Sequence, residues 1–351
     1  MSAYVVPTDA PEADGTFAWD STTMVVVEAS AGGHTGLGYT YGPAVVGALV
    51  GELLEDVVCG SDAFDVPRTW HAMVARLRNA GRPGIGSLAV SAVDTALWDL
   101  KARLLELPLV SLLGAARERV PLYGSGGFTT YSLERLQRQL AGWVEEGIPR
   151  VKMKIGTHPE DDLGRVRAAR EAIGEDAALF VDANGAYSRK QALAQAEAFA
   201  ELGVSWFEEP VSSDDIEGLN LIRRRAPLEV AAGEYGYDAI YFRRMLEAGA
   251  VDVLQADASR CGGVTGFLQV GVLASAFELE LSGHCAPALH AHVCAAVPSF
   301  RHLEWFHDHV RIERLFFDGF LEPQDGALVP DRSRPGNGLE LKRADAERYA
   351  A

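Results

Sequence analysis

The sequence predicts an α/β protein: a TIM-type (β/α) barrel with an α+β N-terminal capping domain that the C-terminal tail completes. Two observations carry this expectation. From Val120 onward, eight short apolar segments recur with amphipathic stretches between them, the alternation that builds a parallel barrel. Within that series Asp182, Glu208 and Glu234 stand 26 residues apart, each at the end of an apolar run. One strand with its return helix and loops takes about that many residues, so the three would emerge from successive strands on one rim, where such a barrel places its active site.

Residues 1–118 read as the α+β domain. The segment TTMVVVEASAGGHTGLGYTY (22–41) has the pattern of a hairpin or meander with glycine turns, and GSLAVSAVDTALWDLKARLLE (86–106) has the apolar spacing of a long packed helix. The stretch TDAPEADGTFAWD (8–20), rich in Pro, Gly, Asp and Glu, is the best candidate for a mobile flap. Residues 119–318 read as the barrel, with strands at 120–124, 151–155, 178–184, 205–210, 228–234, 251–257, 279–285 and 302–306. Ser132, Ser188 and Asp238 stand where helix N-caps belong. Leu163, Val166, Ala169 and Ile173 recur at helical spacing, as do Ala192, Ala196, Phe199 and Ala200. Residues 319–351, with Pro330, Pro335, Gly336 and Gly338, form no ninth unit and are expected to return to the first domain.

A chain of 351 residues, 48% hydrophobic and 23% charged, can bury one large barrel and a smaller domain. Its net charge of −17 argues against nucleic acid as a partner, since phosphate binding needs a basic surface. An anionic substrate would need local capture by a cation. No segment approaches the roughly 20 apolar residues of a membrane span, and no basic-then-apolar leader opens the chain, so a cytoplasmic location is expected. Cys59, Cys261, Cys285 and Cys294 form no CxxC pair and fit a reduced compartment as buried or incidental thiols.

The chemistry-bearing residues fall at strand ends. Three hard oxygen ligands, Asp182, Glu208 and Glu234, form a plausible Mg²⁺ site if they converge, or serve as unrelated caps and surface charges if they do not. Lys152 and Lys154 alternate on the second strand and share one face, either the barrel interior or an exposed edge. As neighbours they should depress each other's pKa, while nearby carboxylates push the other way. Asp257 ends the sixth strand and His284 the seventh, 27 residues later. Adjacent strands would let Asp257 hold one ring nitrogen of His284 and leave the other free as a base; otherwise they are a cap and a core histidine. Glu304, in the eighth strand, must be protonated or paired inside a barrel mouth; a protonated carboxyl could donate to an oxyanion, and Arg311 or Arg260 could pair an ionised one. Asn184 and Glu209 are weaker candidates beside the acidic trio, and Phe17, Trp19 and His34 are candidate substrate contacts from the first domain. His290 and His292, two apart on one helix, point to different faces and are not read as ligands; His302, His307 and His309 are given no role.

The pattern of KxK, then Asp, Glu and Glu on successive strands, then Asp, His and Glu on strands six to eight, resembles the enolase superfamily and its mandelate racemase subgroup. ALWDLKAR and PLVSLLG resemble the family's capping-domain helix, and DASRCGGVTG and PGNGLEL its barrel and tail signatures. The resemblance implies that Asp182, Glu208 and Glu234 ligate Mg²⁺ and that Lys154 is the base on one substrate face, tuned by Lys152. It further implies that His284, held by Asp257, is acid or base on the other face, and that Glu304 hydrogen-bonds an enolate. Relatives resembling muconate cycloisomerases or dipeptide epimerases carry lysine where this chain has Asp257. The N-terminus departs from the family, because only SAYVVP precedes the flap and is short for a first strand.

The implied reaction is removal of the proton α to a carboxylate of a small acid, with the metal stabilising the enolate. The preferred outcome is dehydration of a sugar acid, an aldonate or aldarate, to a 2-keto-3-deoxy acid. The alternative is racemisation or epimerisation of a 2-hydroxy acid or amino-acid derivative. A metal- and carboxylate-binding barrel without catalysis is a further alternative, against which bases on both faces argue. The resemblance also implies a homo-oligomer.

Overall fold

The computed structural model describes residues 1–351. The chain opens with an antiparallel sheet of β1 (Ser2–Ala13), β2 (Ala18–Ala31) and β3 (His34–Tyr41), in that order. The helix Ile85–Leu104 packs across this sheet and is buried along most of its length. Gly36 and Gly38 of β3 approach its backbone closely.

β1 is longer than the sequence suggests. Pro11 and the acidic residues Asp9 and Glu12 around it are expected in a flap, yet they lie in the strand, because β1 is an edge strand and proline is tolerated there. A register shift between Pro7 and Glu12 absorbs the irregularity. Only residues 14–17 remain as a hairpin tip, and it is tethered to the barrel. The Thr129 amide donates to Ala13 O at 2.9 Å, Thr157 Oγ1 to Asp14 O at 2.6 Å, and Thr16 Oγ1 to Asn184 O at 3.3 Å. Gly15 allows this docking: a Cβ there would lie 2.3 Å from Ala183 O and 2.6 Å from Ile155 O.

The barrel strands are β4 (Val120–Gly126), β5 (Arg150–Lys154), β6 (Ala178–Asp182), β7 (Val204–Glu208), β8 (Glu229–Ala232), β9 (Val253–Ala256), β10 (Glu280–Gly283) and β11 (Phe300–Phe306). Neighbours in sequence pair in parallel, and β11 closes on β4. The intervening helices start as their caps dictate. Ser132 accepts from the Arg135 amide, Ser188 and Gln191 form a capping box, and Asp238 accepts from the Ile240 and Tyr241 amides. Each such cap contributes about 0.5–2 kcal/mol.

Val166, Ala169 and Ile173, like Ala192, Ala196 and Phe199, are buried between helix and barrel. Inside the barrel Phe180 stacks on Trp206, and both pack with Tyr123 against His302, forming an aromatic floor below the mouth.

The tail adds β12 (Phe317–Asp318), β13 (Ala327–Leu328) and β14 (Glu340–Leu341). It reaches the first domain through Asn337, whose amide meets Asp99 Oδ1 at 2.6 Å and whose Nδ2 meets Leu37 O at 3.1 Å. The Ala351 amide pairs with Ala3 O. No helix is long and apolar enough to cross a membrane.

Candidate active site at the barrel mouth

Strand alternation puts Lys152 and Lys154 on the inner face of β5, with Val151, Met153 and Ile155 against the helices. Parallel register then aligns Lys154 with Asp182, and Asp182 with Glu208. Glu234 follows β8 by two residues. Gly233 before it has φ +138°, and a Cβ there would lie 2.1 Å from Gln255 O. Ligand atoms of Asp182, Glu208 and Glu234 lie within 4.8 Å of one another, all three side chains being buried.

The lysines are counter-charges of this cluster. Lys154 Nζ is 2.5 Å from Asp182 Oδ2. Lys152 Nζ is 3.3 Å from Asp182 Oδ2 and 2.8 Å from Glu304 Oε1, and it also contacts Glu208. The exposed-edge alternative does not hold, since Lys152 is fully buried and Lys154 nearly so. Burial pulls both ammonium groups down, but the carboxylates outweigh it and hold both above their ordinary value. Glu304 finds its partner in Lys152, not in Arg311 or Arg260. Burial would raise its carboxyl, yet the charge of Lys152 holds it well below the usual range.

On the opposite side His284 Nδ1 lies 2.9 Å from Asp257 Oδ2, and Nε2 lies 3.4 Å from Glu234 Oε2. The Ser259 amide donates to Asp257 Oδ1 at 2.7 Å. Burial raises the Asp257 carboxyl, but the hydrogen bond from His284 outweighs it and keeps Asp257 ionised.

Three contributors were given no role, or a different one, from the sequence. Arg260 bridges the two halves, with Nη1 3.4 Å from Glu234 Oε1 and Nε 3.6 Å from Asp257 Oδ2. Its position three residues past Asp257 is the only signal the sequence offered. Cys285 is not incidental. It sits at φ +51°, and its amide (3.0 Å) and Sγ (3.2 Å) both donate to Glu304 Oε2. Trp206 donates its Nε1 hydrogen to Glu208 Oε2 at 2.9 Å, a contact foreshadowed by their i, i+2 spacing on β7.

The weaker candidates divide. Asn184 lies at the cluster: its amide donates to Asp182 Oδ1 at 2.9 Å, and its Oδ1 is buried without a partner. A cavity of about 540 Å³ opens there, lined by Thr16, Asn184, Glu209, Ser213, Tyr235 and Tyr241. Trp19 packs edge-on against Phe128, which shares an apolar cluster with Cys285 and Phe306, so it adjoins the mouth. Phe17 stacks on Trp19 but is 67% exposed.

His34 is misplaced as a substrate contact. It sits at the far turn between β2 and β3, beside Arg103, Asp318 and Arg334. The length of β2, roughly 40 Å, separates that turn from the hairpin tip.

Chemically, the donor set suits a hard divalent cation. Asp182, Glu208, Glu209, Glu234 and Glu304 outnumber Lys152, Lys154 and Arg260. Burial and the neighbouring carboxylates accordingly push Glu208 and Glu209 well above the usual carboxylate range. Glu234 Oε2 is buried without a hydrogen-bond partner. A Mg²⁺ ion held by Asp182, Glu208 and Glu234 would satisfy both the charge and the orphaned oxygen.

The capped barrel with an acid cluster at its mouth defines a class of enzymes built from an α+β cap and a catalytic barrel. Comparison with known proteins agrees. Residues 4–114 match the mandelate racemase/muconate lactonizing enzyme N-terminal domain, and residues 135–346 match the enolase C-terminal domain-like family. The chain belongs to the enolase superfamily, among its mandelate racemase-like members, and is an enzyme of the lyase and isomerase type found there.

It is 34% identical to a 3,6-anhydro-alpha-L-galactonate cycloisomerase of Streptomyces coelicolor, over 88% of this chain and 86% of that one. It is 31% identical to the L-talarate/galactarate dehydratase of Salmonella typhimurium, over 86% and 76% respectively. A structure of a mutant L-talarate/galactarate dehydratase liganded with Mg and L-glucarate superposes with a TM-score of 0.92 at 29% identity, covering 100% of this chain and 90% of that one. A mandelate racemase/muconate lactonizing enzyme-like protein from Rubrobacter xylanophilus superposes at 0.98 with 59% identity, covering 100% and 98%.

Proposed function

We propose that this enzyme dehydrates a sugar acid, an aldonate or aldarate, to a 2-keto-3-deoxy acid. The observation that carries the reading is the placement of two proton-transfer groups against different members of one carboxylate trio. Lys154 adjoins Asp182 and His284 adjoins Glu234. Sugar-acid dehydratases among the relatives support the substrate class.

Asp182, Glu208 and Glu234 would hold the Mg²⁺, which when bound would supply Lewis-acid polarisation of the substrate carboxylate. Lys154 Nζ takes the α proton. Once Asp182 shares its charge with a cation, the adjacent Lys152 ammonium favours the neutral amine that this step needs. Asp257 keeps the Nδ1 hydrogen of His284 in place, so His284 in its protonated form presents the Nε2 hydrogen to the departing β-hydroxyl, which leaves as water. Glu304, held by Lys152 and Cys285, lines the site where the substrate carboxylate acquires charge. The resulting enol tautomerises to the keto acid.

A second reading is racemisation or epimerisation of a 2-hydroxy acid or amino-acid derivative, supported by a 29%-identical hydrophobic dipeptide epimerase among the relatives. In that reading His284 returns a proton to the same carbon. Screening a sugar-acid library with Mg²⁺ for 2-keto products tests the first reading. Turnover confined to acids without a β-hydroxyl would overturn it, and deuterium exchange at Cα without loss of water would establish the second.

A further inference from the structure

Two further groups of ligand-type side chains share no residue with the trio: His284, Cys285 and Glu304 belong to the barrel mouth already described, and the other meets where the cap touches the end of β11. Asp9 and Glu12 come from β1, Asp9 within its irregular register and Glu12 at the end of it, and His307 opens the helix that follows β11. One donor atom from each lies within 4.8 Å of the other two. Glu12 is fully buried. Its Oε2 accepts from Trp19 Nε1 at 2.9 Å, while its Oε1 has no hydrogen-bond partner at all. His307 Nε2 is likewise buried and unpartnered, 3.4 Å from Asp9 Oδ2 but outside hydrogen-bond geometry.

The surrounding charges leave these atoms free. Arg135 engages the other Asp9 oxygen, Oδ1, at 3.0 Å, and Arg311 is taken by Asp308 at 2.6 Å. Asp308 also accepts from Thr22. No ion pair joins Glu12 to a lysine or arginine. Burial raises the Glu12 carboxyl to about 8, and a buried carboxyl oxygen and a buried imidazole nitrogen without partners are costly unless a proton or a cation lies between them.

Two carboxylates and an imidazole nitrogen differ from the all-oxygen trio at the mouth. Magnesium prefers oxygen ligands, whereas imidazole selects a zinc-like ion. We propose that Asp9, Glu12 and His307 bind a divalent cation of the zinc class that fastens β1 to the barrel. Asp9 is partly exposed, so water completes the coordination. The fastening lies just ahead of the hairpin tip 14–17 on the barrel rim, so occupancy would steady that tip.

The test is calorimetric titration of Zn²⁺ into the full chain carrying Glu234→Gln, which disables the mouth trio, in saturating Mg²⁺, with thermal melts alongside. One equivalent should bind and raise Tm. Adding His307→Ala or Glu12→Gln should weaken Zn²⁺ binding at least tenfold and remove the rise, while the Zn²⁺-free melts remain cooperative. Absence of Zn²⁺ binding in the Glu234→Gln protein, or binding unaltered by both further substitutions, would overturn the proposal. Neither result depends on the assigned reaction, because no turnover is measured.

Discussion

His284 donates its Nδ1 hydrogen toward Asp257 Oδ2 at 2.9 Å, and this single contact fixes which ring nitrogen faces the carboxylate cluster. Because the Ser259 amide holds the other Asp257 oxygen, the acceptor cannot rotate away. Asp257→Asn should therefore leave the fold intact while allowing the wrong tautomer. Turnover is expected to fall by up to about 10⁴-fold, as the wrong tautomer does in a serine–histidine–aspartate triad. Steady-state kinetics with a pH profile checks this, and unchanged turnover would refute the orienting role.

Lys154→Ala removes the amine beside Asp182. Loss of a positioned general base costs about 10²–10⁴-fold in rate. Exchange of the substrate α hydrogen with solvent deuterium should fall by the same factor, because the affected step is proton removal. Full retention of exchange would assign the base elsewhere.

Mg²⁺ should stabilise the folded chain, because the trio converges only in the native state. At a concentration one hundred times its Kd the gain is about 2.7 kcal/mol. Melts with and without EDTA measure it, and Glu234→Gln should erase most of the difference.

Gly15→Ala places a methyl group against the Ala183 and Ile155 carbonyls and lifts the hairpin tip from the rim. A lower kcat/KM with little change in Tm is expected, since the tip is a small part of the core. Unchanged kinetics would show that its docking is immaterial to turnover.

Glu313, at the seam between cap and barrel, is raised to about 8, chiefly by burial, against hydrogen bonds from the Ala288 amide, Tyr39 and Tyr41. The folded protein therefore binds this proton more tightly than the unfolded chain, whose carboxyl titrates near 4.5. Its contribution to stability is present below that value and is lost as pH rises toward 8. Glu313→Gln should flatten the fall in Tm over that interval. A slope equal to wild type would exclude Glu313 as its source.

What the sequence determined by itself were the features set by local period and spacing. The eight strands, the caps at Ser132, Ser188 and Asp238, the shared face of Lys152 and Lys154, and the strand-end positions of Asp182, Glu208 and Glu234 all follow from alternation and repeat length. Only the tertiary structure decided which charges meet. Lys152 reaches Glu304 because β11 closes on β4 beside β5, and Arg260 reaches both Glu234 and Asp257 because neighbouring loops converge at the mouth. The proline- and acid-rich start is strand rather than flap because an edge strand needs fewer backbone donors, and His34 lies far off because a hairpin sends its two ends in opposite directions. Such contacts join residues distant in sequence, and their partners are fixed by closure and domain docking, which no local pattern encodes.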